Sequence, residues 1–95
     1  MQSAWVRIRF SEAPLRFRLF SHEAAVWSED PAEADLEQPL EIAWTDSGPA
    51  LKLEADWAQP GWRAIEVGVV TLDGRRARAT VWSRGDNVRE WLVFP

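Results

Sequence analysis

The chain has 95 residues and no cysteine, with 46% apolar and 27% charged residues. That allows one domain with a real core. It excludes a wholly disordered chain, disulfides, thiolate nucleophiles and cysteine-held zinc or iron–sulfur sites. The formal net charge of −4 is uneven: residues 1–20 sum to +3, residues 21–66 to −9 and residues 67–95 to +2.

The basic N-terminal element and acidic middle can satisfy each other within one fold or meet complementary surfaces on neighbouring copies. Aromatic usage is skewed to seven tryptophans and four phenylalanines, with no tyrosine. Tryptophan is large and rarely fully buried, so one or two exposed rings are expected. Residues Met1 to Phe10 lack the apolar run of a signal peptide. No stretch reaches the roughly 20 apolar residues of a membrane helix. The expectation is a cytoplasmic chain with no membrane partner.

Residues 5–10 and 15–20 alternate with the strand period of two, and Ser11-Glu12-Ala13-Pro14 separates them as a hairpin loop. Pairing Phe10 with Leu15 sets Ile8 against Phe17 and Val6 against Leu19, all core-facing. The opposite face would then carry Arg9 beside Arg16, Arg7 beside Arg18, and Trp5 beside Phe20. Residues 21–27 read as a short edge strand ending near Trp27. From Asp30 to Glu37, an N-cap at Asp30 and a first-turn Pro31 suggest one or two helical turns or an acidic loop, ended by Pro39.

Residues 40–45 and 50–57 form a second hairpin pattern, with Trp44 facing Leu51, Ile42 facing Leu53 and Leu40 facing Ala55. A third joins 62–72 to 75–82 through Asp73-Gly74, the pairing for a type I′ turn. It sets Leu72 against Arg75. The final strand, Val88 to Phe94, contains four consecutive apolar residues and reads as covered on both faces.

These elements predict an all-β domain: a small antiparallel two-sheet sandwich of six to seven strands. An immunoglobulin-like strand order is one form open to it, and a small rolled barrel is the alternative.

The sharpest functional feature is the stripe Arg7, Arg9, Arg16 and Arg18, flanked by Trp5 and Phe20. Like charges directly opposite one another require compensation, from carboxylates, phosphates or solvent. Arginine suits bidentate contact with either anion. These six residues are the expected surface of a non-catalytic protein-interaction or assembly domain, self-associating or part of a complex. A nucleic-acid module using the same stripe ranks below it, because the chain is acidic overall and the stripe is short. A carbohydrate module using exposed tryptophans is a further alternative, with Trp27, Trp57, Trp62 and Trp82 near turns.

The acidic run Glu29, Asp30, Glu33 and Asp35 lacks the spacing of a calcium loop and reads as a secondary docking surface for a basic partner. His22 is the only histidine, so no ordinary zinc set can be assembled, and no cofactor or metal is expected. No nucleophile motif or paired acid and base stands out, and the chain is not read as an enzyme. Arg84-Gly85-Asp86 spells an adhesion tripeptide whose expected role here is a turn.

Overall fold

The computed structural model describes residues 1–95. The chain forms ten strands: β1 (Gln2–Phe10), β2 (Arg16–Ser21), β3 (Ala24–Glu29), β4 (Asp35–Ile42), β5 (Trp44–Thr45), β6 (Gly48–Pro49), β7 (Leu51–Asp56), β8 (Arg63–Thr71), β9 (Arg76–Ser83) and β10 (Asn87–Trp91). Two antiparallel four-stranded sheets pack together. The first has the order β4-β1-β8-β9, the second β10-β7-β2-β3, and β5-β6 is a two-residue pair at the crossover between them. No helix is long and apolar enough to cross a membrane.

Alternation selects the buried face of each strand. In β1, Ala4, Val6, Ile8 and Phe10 are buried while Trp5, Arg7 and Arg9 are exposed. In β7, Leu51, Leu53 and Ala55 are buried beneath Lys52, Glu54 and Asp56. These inward rows, with Phe17, Leu19, Ile65, Val67, Val69 and Val81, belong to one core cluster of 21 residues. Phe17 meets Trp27 edge-on at 5.1 Å and Phe10 at 5.7 Å. Aromatic contacts of this kind add to the burial that holds the two layers together.

The expected first hairpin does not form, and of the second only the tip does, as β5–β6 with Trp44 opposite Pro49 instead of Leu51. β1 pairs with β4 and β8, whereas β2 pairs with β3 and β7. The chain therefore arches from one sheet to the other after Phe10, and again between Ile42 and Leu51. Leu15 lies in the first arch and is 54% exposed, not in the core. Because β1 and β2 occupy different sheets, the order is not that of an immunoglobulin domain, whose first two strands are neighbours. The two sheets are separate, so the rolled-barrel alternative falls as well.

The β8–β9 hairpin forms, but its register is shifted by one residue from expectation. Val69 pairs with Ala77 and Val70 with Arg76. The Gly74 N–H donates to the Thr71 carbonyl at 3.1 Å, the Thr71 N–H donates to the Arg75 carbonyl at 2.9 Å, and Gly74 has φ of +90°. That is a three-residue loop closed by a left-handed glycine, not a two-residue type I′ turn. One extra loop residue moves every β9 side chain to the other face. Ala77, Ala79 and Val81 turn inward, and Arg76, Arg78, Thr80 and Trp82 turn outward.

Three smaller differences follow from position in the sheets. Residues 30–34 form an acidic connection with no helix. His22 and Glu23 make a tight turn between β2 and β3, with His22 at φ 55°. β10 is an edge strand paired only to β7, and beyond it Leu92 is buried while Val93 is 80% exposed.

Candidate interaction surface

The six residues of the expected stripe are divided between the two outer faces of the sandwich. Trp5, Arg7 and Arg9 lie on the β4-β1-β8-β9 sheet, and Arg16, Arg18 and Phe20 on the other. Each group is also largely compensated by neighbouring strands. Arg7 donates twice to Asp35, at 3.0 and 2.6 Å, and Arg9 approaches the same carboxylate at 3.9 Å. The Trp5 indole N–H donates to Glu37 at 3.0 Å. On the opposite face, Arg16 pairs with Asp56 at 3.1 Å and Arg18 with Glu54 at 3.5 Å. The Phe20 ring is half-buried under Arg18 and Lys52, each 5.9 Å from its centre.

These contacts set the acid titration of Asp35 and Asp56. The Arg7 hydrogen bond holds the Asp35 carboxyl below its ordinary range and raises Arg7 in turn. Partial burial opposes ionisation of Asp56, but hydrogen bonds from Arg89 and Arg16 outweigh it and the carboxyl also titrates below normal. The folded state therefore binds fewer protons than the unfolded chain near pH 4. The stabilisation is complete above the unfolded aspartate range and is lost as pH falls through the lowered folded value. Asp56→Asn is expected to lower Tm at neutral pH and to converge with the parent in strong acid. A difference in Tm that stays constant across the acid range would refute this linkage.

The acidic segment is gathered at one corner. Glu29 ends β3 and accepts the Trp27 indole N–H at 3.2 Å. Asp30 and Glu33 are exposed in the connection, and Asp35 opens β4. Glu37 and Glu41 extend the charge along the outer face of β4. His22 sits exposed in its turn. In the Arg84-Gly85-Asp86 segment, the Asp86 carbonyl accepts the Trp57 N–H at 2.7 Å and Arg84 lies 5.0 Å from the Trp62 ring centre. Both contacts fit a structural turn. Trp27 and Trp57 are buried, Trp44 is half-buried, and Trp5, Trp62, Trp82 and Trp91 are exposed.

A different surface emerges around β9. Arg76 and Arg78 make no ion pair, unlike the strand arginines of β1, β2 and β10. Register places Pro39, Trp5, Val70 and Arg76 in one row across the first sheet, and Gly68 beside Arg78 in the next. Trp82 is 65% exposed on the same face. A groove of about 730 Å³ runs along β9, lined by the outward-facing Val70, Arg76, Arg78 and Thr80 together with Ala77, Ala79 and Val93. A second concavity of about 530 Å³ lies between Trp5, Pro39, Val70 and Leu72. Compared with protein-family models, curated proteins and solved structures, the chain finds no match.

Proposed function

We propose that this chain is a non-catalytic protein-interaction domain whose binding face is the β8–β9 side of the first sheet. The observation that carries the reading is the pair Arg76 and Arg78, uncompensated beside exposed Val70 and Trp82. Tryptophan and arginine are the side chains that most often anchor protein interfaces. An apolar row bordered by unpaired cations supplies an anchor and a polar rim together. The contiguous Arg7–Arg9–Arg16–Arg18 surface required by the nucleic-acid alternative is not assembled. Arg84 occupies one side of the Trp62 ring, which weakens a tryptophan platform for sugars.

A photo-crosslinking residue placed at Trp82 tests the reading against the same residue placed at Arg18, on the opposite sheet. In the native cell, covalent protein adducts are expected from position 82 and not from position 18. They should diminish when Arg76 and Arg78 are both changed to Glu. Equal adduct formation from both faces, or none from position 82, would remove this assignment.

A further inference from the structure

The sandwich has four edge strands: β4 and β9 in one sheet, β10 and β3 in the other. Unpaired strand edges invite pairing with other chains, and proteins usually block them. β3 is interrupted by a register shift opposite Leu19 and Phe20. β10 is short, and Glu90 lies opposite inward-facing Leu53, so it sets a carboxylate on the inner side of that edge. β4 carries Pro39. β9 has no proline, glycine or register shift along its eight residues.

Hydrogen-bond parity identifies which groups each edge offers. The Thr71 N–H to Arg75 carbonyl bond fixes Ala77, Ala79 and Val81 as the residues bonded to β8. The N–H and C=O groups of Arg76, Arg78, Thr80 and Trp82 therefore point away from the sheet. The Phe10 N–H to Ala34 carbonyl bond likewise directs the backbone groups of Asp35, Glu37, Pro39 and Glu41 outward from β4. On both strands, the outward backbone groups belong to residues whose side chains lie on the outer face. One edge is cationic at alternate residues, and the other is anionic at alternate residues.

Resting on the interaction-domain reading, we infer that the partner is a second copy of this chain, whose β4 adds antiparallel to β9 and extends the first sheet. Strand directions allow this continuation, because β4 and β9 run oppositely in each copy. Only one register within the two strands sets both arginines against carboxylates. Arg76 then faces Glu37 of the second copy, Arg78 faces Asp35, and Ala77 meets Leu36 at the groove. In that register Pro39 falls beyond the end of β9, where its missing N–H costs no bond. A second β4 would place carboxylates together, and a second β9 in full overlap would set Arg76 against Trp82 and Arg78 against Thr80, with a carboxylate for neither. The β4 edge thus disfavours itself, and of the two edges only β4 supplies carboxylates to the arginines of β9. Asp35 already pairs with Arg7 and lies 3.9 Å from Arg9, so Glu37, which has no ion pair, supplies the stronger of the two contacts. The association is head-to-tail, so it grows beyond a dimer unless it closes into a ring.

Sedimentation and light scattering on the full chain and two variants test this. The wild-type mass is expected to rise with protein concentration at low ionic strength and to fall with added salt. Arg76→Glu with Arg78→Glu spoils only the β9 edge, and Glu37→Ala spoils only the β4 edge without offering a cation to residue 76. Each variant alone should associate at least about tenfold more weakly than wild type. Mixed together, they retain one intact edge each and should form a 1:1 complex that does not grow, which also shows that both are folded. The inference is overturned if wild type remains monomeric at its solubility limit, or if either variant alone assembles like wild type. It is equally overturned if the mixture stays monomeric while both variants melt like the parent. A monomeric wild type that still crosslinks to another protein from position 82 defeats only this inference. Loss of those crosslinks as well defeats the interaction reading too.

Discussion

Replacing Phe17 with alanine is expected to cost about 3–5 kcal/mol, whereas Leu15→Ala should change stability by less than about 0.5 kcal/mol. The two residues share a parity and would both be buried if β1 and β2 formed a hairpin. In the arched chain Phe17 is 1% exposed between Phe10 and Trp27, while Leu15 is 54% exposed in the connection. A domain of this size has about 5–10 kcal/mol of net stability, so the Phe17 variant should lose much of its folded range. Urea unfolding measures both changes, provided the slope with denaturant is unchanged. Comparable losses at the two positions would mean that Leu15 is part of the core and that the arch is wrong.

That comparison also shows where the sequence is informative. Period-two alternation identifies the inward side of β1, β2, β7 and the last three residues of β4, because water selects against Val6, Ile8, Phe17, Leu19, Leu51 and Leu53 on the surface. It does not identify the neighbouring strand. Two successive strands that face one core carry the same alternation whether they lie side by side or in opposite layers. The arginine stripe depended on the neighbour, so it separated onto two faces when β1 and β2 proved to occupy different sheets.

β9 was hidden for a different reason. Its face assignment depends on whether the loop after Thr71 has two residues or three, and Asp73-Gly74 suits either ending. The choice is settled by Gly74 closing back on Thr71. Arg76, Arg78 and Trp82 share a face by alternation in either case, and the three-residue loop sets that face beside Val70 and Gly68 on the outside of the sheet instead of beside buried Val69 and Val67. β4 was obscured by Pro39, which ordinarily ends regular structure. On an edge strand the absent N–H points to solvent, and the strand continues.

The other large effect is expected at Arg63, an inward-facing residue at the end of β8 that is only 5% exposed. Its guanidinium donates to Glu12 at 3.0 Å and to the carbonyls of Gly61 and Gly85 at 3.3 and 3.2 Å. It also lies 4.8 Å from the centre of the Trp57 ring, whose indole N–H donates to the Glu12 carbonyl at 2.9 Å. One side chain therefore ties together the connections after β1, β7 and β9. Arg63→Ala removes these bonds and the packed stem, with an expected loss of about 3 kcal/mol. Arg63→Met keeps most of the stem, removes the buried Nε that lacks a partner, and should lose only about 1 kcal/mol. Glu12 is 62% exposed on its side chain, so Glu12→Gln should cost about 1 kcal/mol or less despite the short ion pair. Urea midpoints for the three variants separate packing from charge. Equal losses for alanine and methionine would assign the effect to the polar bonds alone. A loss below about 1 kcal/mol for alanine would show that the three connections hold their positions without Arg63.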